Sequence, residues 1–280
     1  MSDATADERN SRAIHTAACL IIGDETNSAF FAKWCFSLGI NLKRVEVIED
    51  DEGEIIEAVR RMSDRYDFVV TSGGIGPTHD DITYPSIAKA FDLPLVLHQE
   101  AFERMKRISK QKFSWDEDTP ARKARLRMVE LPIDESRDLA KQVLFPREEL
   151  WVPVSVVNGN VHILPGIPRL FESLLDGLKP SVVPRLTDPG KGIFRAMIST
   201  PLPESGVAAY LGELAARVES KGVKVGSYPR WGKSNTVTLV GRDKAFIESL
   251  VPEVVANVQG RQVMVEGEGE EEDEKPTNLG

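Results

Sequence analysis

The stretch Thr71–Thr83, TSGGIGPTHDDIT, decides the fold of this chain. It follows the apolar run Tyr66–Val70, which is typical of a buried parallel strand. Its glycines allow the backbone to come close to a ligand and to turn N–H groups toward an anion. Residues Tyr84–Phe91 then begin a helix, with Thr83 as its N-cap and Pro85 in its first turn. Strand, glycine loop and helix N-terminus together predict a site for a phosphorylated ligand.

The length and composition are those of an ordinary globular protein. The 280 residues are 41% hydrophobic and 28% charged, which suits one medium and one small domain. No apolar run approaches the roughly 20 residues that cross a bilayer, and the N-terminus has no signal-peptide or transit-peptide pattern. Cys19 and Cys35 are expected to be small buried side chains in a reducing compartment. We therefore expect a cytoplasmic protein that does not bind a membrane.

Most of the negative charge lies at the C-terminus. Residues 266–275 contain seven acids and one base, and they contribute −6 to the net charge of −9. Such a segment repels itself and has nothing to bury, so residues 267–280 are expected to be a disordered acidic tail. Residues 1–16 are likewise expected to be disordered. Binding to nucleic acid is not expected, because it requires a basic surface.

The order of secondary structure predicts two domains. From Ala17 onward, apolar strands alternate with amphipathic helices in a βαβαβ order, which predicts a parallel sheet with helices on both faces. From Gly192 the pattern becomes βαββαβ, which is typical of a small ferredoxin-like α+β domain. The expected domains are residues 17–190 and residues 191–266.

Pairs of acidic residues follow each of the first three predicted strands. Because parallel strands end at one edge of a sheet, where α/β proteins bind ligands, these carboxylates can converge there. Clustered carboxylates suit Mg²⁺, Mn²⁺ or Co²⁺, which would bridge phosphate oxygens. Each pair alone is more often a loop charge or a helix cap. The pairs are Asp24 and Glu25, Asp50 and Asp51, and Asp80 and Asp81.

Three motifs together resemble one known family. The glycine loop Thr71–Thr83 and the later Leu164–Pro168, LPGIP, resemble the MoaB/Mog-like molybdopterin-binding fold. The version Gly76–Asp81 is most similar to CinA-like proteins and to the N-terminal domain of eukaryotic FAD synthases, and Gly226–Pro229 resembles a step in their second domain. The resemblance implies an α/β fold in which a three-layer αβα domain with a mostly parallel sheet precedes the small domain.

The resemblance also implies roles for individual residues. Asp51 and Asp81 would be catalytic, and Asp80 would join them in binding the metal. Arg122 and Lys123 would lie near the ligand, and the protein would form a homo-oligomer. Contacts to the phosphorylated ligand would come from the two loops, namely from Ser72, Gly73, Gly74, Gly76, Thr78, Thr83, Pro165 and Gly166.

Two function classes remain open at this point. One is a divalent-metal-dependent pyrophosphatase that acts on FAD or ADP-ribose. The other is a module that binds molybdopterin without turnover, or a molybdenum-cofactor biosynthesis protein. FAD synthesis itself is not expected, because no sulfate-reductase-like adenylyltransferase segment is present.

Compared with relatives, Gly23-Asp24-Glu25 runs directly into Thr26-Asn27, without the usual intervening loop. His79 is equally compatible with a hydrogen bond to phosphate and with a structural role.

Overall fold

The computed structural model describes residues 4–24, 26–108, 115, 118–187, 192–229 and 234–264. The chain divides into two compact units, a large unit at Met1–Gly190 and a small unit at Lys191–Gly280. Within the described ranges, no helix has both the length and the apolar character needed to cross a membrane. The predicted acidic tail, residues 267–280, lies outside the described residues.

The large unit is built on a six-stranded sheet with the order β2-β1-β3-β8-β7-β6. Strands β1, β2, β3 and β8 are parallel, and β6 and β7 complete one side in antiparallel orientation. Strands β4 and β5 form a separate antiparallel pair. In chain order, the strands are β1 (Thr16–Ile22), β2 (Asn41–Ile48), β3 (Phe68–Ser72), β4 (Leu95–Leu97), β5 (Glu130–Pro132), β6 (Val143–Leu144), β7 (Val154–Val157) and β8 (Val161–Leu164).

Helices of the large unit connect these strands. They are α1 (Ala6–Ser11), α2 (Ser28–Leu38), α3 (Glu52–Arg65), α4 (Thr83–Ala90), α5 (Gln99–Ile108), α6 (Pro120–Arg127), α7 (Pro168–Gly177) and α8 (Lys179–Val182).

Apolar periodicity explains the core of this unit. All residues of β3 are buried, as expected for a central parallel strand with both faces covered. Helix α3 buries Ile55, Val59 and Met62 at the spacing of one helical face. Against β3, the rings of Trp34 and Phe68 stack with centroids 5.7 Å apart. The carboxyl ends of β1, β2, β3 and β8 therefore meet at one edge of a well-packed sheet, where the glycine loop begins.

The small unit is an antiparallel sheet with the order β10-β11-β9-β12 and two helices. Its elements are β9 (Phe194–Thr200), α9 (Glu204–Val218), β10 (Lys224–Tyr228), β11 (Asn235–Gly241), α10 (Lys244–Asn257) and β12 (Arg261–Val263). Strand β11 lies between β9 and β10, which is the split βαβ arrangement of a ferredoxin-like domain. The predicted fold class is confirmed for both units.

The N-terminal segment differs from the prediction of disorder over residues 1–16. Its described part forms α1 and enters β1 at Thr16. A capping box begins the helix, because Thr5 and Glu8 each accept the other's backbone N–H. A Cβ on Gly159 would lie 1.9 Å from the carbonyl oxygen of Ala6, so α1 lies directly against this glycine. The helix was missed because no apolar stripe marks it.

Arg9 connects α1 to the body of the large unit. It is only 3% exposed. It donates to the carbonyl oxygen of Ser63 at 2.7 Å and to the Asp64 carboxylate at 3.1 Å. A buried guanidinium that is hydrogen-bonded on several sides stabilises the docked helix, whereas its removal would leave the Ser63 carbonyl without this donor.

We expect Arg9→Ala to lower the melting temperature of the large unit by several degrees. Loss of buried charge-assisted hydrogen bonds costs about 1–3 kcal/mol, and each kcal/mol shifts a domain of this size by about 2–4 °C. Differential scanning calorimetry measures the change. Lys33→Ala, which removes an exposed cation from α2, is the control and should change little. Equal melting temperatures for Arg9→Ala and the parent would contradict the docking of α1.

Candidate functional site

The glycine loop turns between β3 and α4 by left-handed backbone conformations. Gly73 has φ of 107° and Gly74 has φ of 65°, and glycine adopts both without strain. Thr83 closes the turn, because its hydroxyl donates to the Gly73 carbonyl at 2.9 Å and its N–H donates to the Gly74 carbonyl at 3.0 Å. A Cβ on Gly74 would lie 2.2 Å from the Thr83 hydroxyl oxygen. Only glycine therefore fits at position 74.

Few N–H groups of the loop are available to a ligand. Gly73 donates to the Leu164 carbonyl at 3.3 Å, and Gly76 donates to the Asp81 carboxylate. In the part of the chain that the structure describes, the N–H groups of Gly74 and Ile75 have no partner. The N–H groups that are open to a ligand are therefore fewer than the predicted set of contacts. They include that of Ile75, which sequence reasoning missed.

Asp81, which the sequence analysis predicted to be catalytic and to bind a metal ion, organises the loop through its carboxylate. Its Oδ1 accepts the Gly76 N–H at 2.6 Å, and its Oδ2 accepts the Thr78 N–H at 2.8 Å and also the Thr78 hydroxyl. Arg127, at the end of α6, donates to the carbonyl oxygens of Thr78 and Asp81, each at 2.9 Å. Both carboxylate oxygens are thus engaged within the loop, and Arg127 fixes the loop from outside.

The carboxylate at the sheet edge is Asp50, whereas sequence reasoning selected Asp51. Asp51 is the N-cap of α3 and accepts the Glu54 N–H at 2.9 Å. Asp50 instead lies between two glycines: a Cβ on Gly23 would be 3.0 Å from its Oδ2, and a Cβ on Gly74 would be 3.4 Å from its Oδ1. Asp50 is therefore the carboxylate that borders the anion cradle.

Neighbouring acids act on Asp50. Its partial burial raises the pKa of this carboxyl above the ordinary aspartate value, and the charges of Asp80, Asp81 and Asp24 raise it further. Asp80 is exposed, as is His79, whose Nδ1 lies 3.8 Å from an Asp80 oxygen. Across the described ranges, no three acidic, histidine or cysteine side chains gather closely enough to cage a metal ion. The predicted trio of Asp51, Asp80 and Asp81 is not assembled.

Asn27 joins the two loops of the site. It is 3% exposed, and its Nδ2 donates to the Ser72 hydroxyl at 2.9 Å and to the Gly166 carbonyl at 2.7 Å. The side chain thus holds the ends of β3 and β8 together at the start of α2. Although the connection after Gly23 is short, Asn27 contacts both loops. Glu25 lies outside the described residues.

A cavity of about 240 Å³ opens beside the glycine loop, and we refer to it as the first cavity. One wall is the loop segment 74–77, and another is the Pro165–Ile167 turn. Trp151 and Met128 supply large apolar side chains, which can pack on the face of a flat ring. Sequence reasoning missed both side chains, since no motif surrounds either of them.

Arg122 and Lys123 do not contact the loop. Both pair with Asp118, at 3.9 Å and 3.2 Å. Arg127 is the basic side chain of α6 that reaches the loop, where it donates to the Thr78 carbonyl. It is the last residue of this helix and lies five residues after Arg122.

Comparison with known proteins identifies the large unit. The family model described as "Probable molybdopterin binding domain" matches residues 5–187, which is well over half of the chain. The chain belongs to this family. The model described as "FAD synthase, middle domain" matches residues 193–266. The suspected family is therefore confirmed, and the large unit is a molybdopterin-binding domain in fold.

Similar proteins come from animals, bacteria and archaea. A "Probable FAD synthase" of Caenorhabditis briggsae is 34% identical over 76% of this chain and 43% of that protein. A "CinA-like protein" of Anaeromyxobacter dehalogenans is 27% identical over 88% of this chain and 58% of that protein. A crystal structure of CinA from Thermoplasma acidophilum, titled as of unknown function, matches 61% of this chain and 99% of that chain with a TM-score of 0.50 and 28% identity. The chain thus spans less than half the length of the FAD synthase relative.

We expect Gly74→Ala to abolish anion binding by the molybdopterin-binding domain. An alanine there adopts an unfavourable left-handed conformation, at about 1–2 kcal/mol, and its Cβ displaces Thr83. Isothermal titration calorimetry with Mg²⁺ and inorganic pyrophosphate measures the loss. Gly222→Ala is the matched control, because its φ of 68° imposes similar strain but no atom lies within 4 Å. Parental affinity in Gly74→Ala would refute the cradle.

Asp50 and Asp81 should respond oppositely to replacement by asparagine. Because the pKa of Asp50 is raised in the folded protein, its charged form lowers the stability above that folded pKa. Asp50→Asn should therefore raise the melting temperature near pH 7.5. The gain should be only about 1–2 °C, because solvent screens this side chain. This gain should vanish as the pH falls toward about 4, the ordinary aspartate pKa. Asp81→Asn breaks a charge-assisted hydrogen bond and should lower the melting temperature by about 2–6 °C. Calorimetry at both pH values checks the signs, and equal shifts would contradict the assignment.

Proposed function

We propose that the molybdopterin-binding domain binds a phosphorylated nucleotide and acts as a divalent-metal-dependent pyrophosphatase on a dinucleotide such as FAD or ADP-ribose. The observation that carries this proposal is the position of Asp50 beside Gly74, next to the unpartnered N–H groups of Gly74 and Ile75. Relatives that include FAD synthases and CinA-like proteins support a phosphorylated small-molecule ligand.

The electrostatics of the site favour a phosphate that arrives with a cation. Two backbone N–H groups attract an anion, but Asp24, Asp50 and Asp80 lie near the same loop and repel it. Burial raises the pKa of Asp50 most, and the charges of Asp80, Asp81 and Asp24 raise it further. A divalent ion between carboxylate and phosphate oxygens would offset the repulsion among the carboxylates. It would also offset the repulsion between the carboxylates and the phosphate.

The residues present fit a metal ion that is bound jointly by the protein and by the substrate. They do not fit an ion that is coordinated by protein ligands alone. Asp51 and Asp81 use their oxygens in hydrogen bonds within the protein. No hydrogen-bond partner acts on Asp50 in the described structure, and its hard oxygen atoms suit Mg²⁺ or Mn²⁺. Mg²⁺ commonly binds one or two carboxylates together with substrate phosphates and water, so one aspartate suffices. The ion would neutralise phosphate charge during hydrolysis.

The protein's own groups would position the substrate. Gly74 and Ile75 would donate hydrogen bonds to one phosphate, and Asp50 would bind the ion near the phosphoanhydride. Trp151 and Met128 would contact the apolar end of the substrate, such as a flavin ring. Hydrolysis would add water across the P–O–P linkage and release two phosphomonoesters.

The alternative is a non-catalytic module that binds molybdopterin or serves molybdenum-cofactor biosynthesis. Among the described residues there is no complete metal cage. The same cradle and the same apolar cavity would accept a phosphorylated pterin. Hydrolysis of a dinucleotide distinguishes the two functions, because the non-catalytic module would show none.

We expect the parent protein to release mononucleotides from FAD or ADP-ribose in Mg²⁺, Mn²⁺ or Co²⁺, and Asp50→Asn to slow this by about 100-fold or more, the loss typical of a removed electrostatic contact. Chromatography of the products measures the rate. Asp51→Asn is the matched control: asparagine caps a helix as well as aspartate, so its rate should be parental. No release by the parent, or an equal loss in both variants, would refute the proposal.

A further inference from the structure

Strand β2 is an open edge of the six-stranded sheet. It stands at one end of the strand order, and within the described ranges no other strand pairs with its outer side. The N–H of Gly23 donates to the carbonyl of Ile48 at 2.9 Å, so the main-chain groups of Ile48 face β1. Because these groups alternate along a strand, those of Val45 and Val47 point to the free edge. Strand β2 therefore presents main-chain donors and acceptors to a further strand.

The protection of this edge is incomplete. Natural edge strands are usually short, bulged or charged, which prevents pairing with other chains. Strand β2 has eight residues, whereas β6 at the opposite end of the sheet has two. A bulge is present only at Lys43, which has no partner in β1, and the pairing is regular from Arg44 to Ile48. In that regular part, the side chains of Val45 and Val47 are 43% and 65% exposed. Docking of another strand would cover both valines.

The charges of β2 are complementary to those of a second copy of the same strand. Two identical strands related by a twofold axis pair in antiparallel orientation. An axis at Arg44 or at Glu46 would place like charges opposite one another, which is destabilising. An axis at Val47 would leave Glu46 opposite Ile48. Only an axis at Val45 places Arg44 of each copy opposite Glu46 of the other, which gives two ion pairs across the axis.

We propose that a second copy of the chain docks on β2, by antiparallel strand pairing about a twofold axis at Val45. The two six-stranded sheets then form one sheet of twelve strands. The two Val45 residues are a hydrogen-bonded pair, and the ion pairs occupy the neighbouring positions, where opposite side chains come closer.

This surface does not depend on the proposed function. Because the two β2 strands run in opposite directions, the carboxyl edges of the two sheets point in opposite directions. The first cavity of each copy lies at its own carboxyl edge, beside the glycine loop. Each candidate site therefore stays open in the dimer.

Disulfide formation between two full chains tests both the surface and the register. Val45→Cys would place two thiols opposite one another with Cα atoms about 5.5 Å apart, which a disulfide can span. Val47→Cys is the matched control. It is the more exposed position, but its two copies would lie about 14 Å apart in this register. Cys19 and Cys35 are buried and do not compete. Under mild oxidation, non-reducing electrophoresis should show severalfold more covalent dimer for Val45→Cys.

Sedimentation equilibrium measures the reversible dimer and the role of the charges. A contact of one strand per copy is at the weak end of specific interfaces, so we expect a dissociation constant of about 1–100 µM for the parent. Arg44→Glu places like charges opposite one another and should weaken the dimer about tenfold or more. Lys141→Glu makes the same charge change just before β6, at the other end of the sheet, and should dimerise like the parent.

A mixture of two variants separates loss of pairing from loss of folding. Glu46→Arg also places like charges across the axis, but it is complementary to Arg44→Glu. An equimolar mixture should therefore recover the dimer that neither variant forms alone.

Three results would overturn the proposal. The first is a parent that stays monomeric at about 100 µM. The second is equal crosslinking of Val45→Cys and Val47→Cys. The third is a monomeric mixture of Arg44→Glu and Glu46→Arg when both variants melt like the parent. None of these results bears on hydrolysis of a dinucleotide, so the proposed function is tested separately.

Discussion

The hydrogen bonds of the Asp81 carboxylate are the interactions on which the geometry of the candidate site depends. By accepting the N–H groups of Gly76 and Thr78, this carboxylate determines which N–H groups of the loop remain for a ligand. Arg127 holds the other side of the same turn through two carbonyl oxygens. The cradle of Gly74 and Ile75 is therefore set by contacts within the protein before any ligand binds. Such preorganisation lowers the cost of ordering the loop at the moment of binding.

Neighbouring aspartates in this domain have different physical roles. Asp51 caps a helix and Asp81 closes a loop, and each accepts backbone N–H groups within the protein. Asp50 gains none, and burial together with nearby charges disfavours its ionisation. Asp50 lies beside Gly74, which lines the cavity at the glycine loop. A group held at a cost to the folded state in such a place is typical of functional sites, where stability is sacrificed to activity.

Periodicity predicted the fold well, because each central element carries a clear apolar pattern. The βαβαβ order predicted from Ala17 onward is the observed order β1, α2, β2, α3 and β3, and α3 begins at Glu52 because Asp51 caps it. The N-terminal helix could not be predicted this way, since a capping box and one buried arginine hold it, and no apolar face does.

The candidate site was harder to predict for two reasons. Asp50 and Asp51 are consecutive, and only the turn after β2 determines which carboxylate caps α3 and which faces Gly74. Ile75 offers only its backbone N–H to the site, and the type of side chain does not indicate such a contribution. Another cavity at the glycine loop is lined by Tyr84, Leu95 and Glu130, which are far apart in sequence and share no motif. Tertiary structure alone brings these residues together.

Under the proposed function, the carboxylates around the glycine loop have a thermodynamic consequence. An anion that binds there alone meets the charges of Asp50 and Asp80, and a cation that binds alone finds only part of its ligands in the protein. Each therefore supplies what the other lacks, so binding of the metal ion and of the phosphate must strengthen one another by the same factor. Under the proposed function, this coupling would favour a polyphosphate over a single phosphate, because two phosphates supply more oxygen ligands to one ion. The acidic residues thereby become a source of selectivity for a pyrophosphate linkage, although they oppose the binding of an isolated anion.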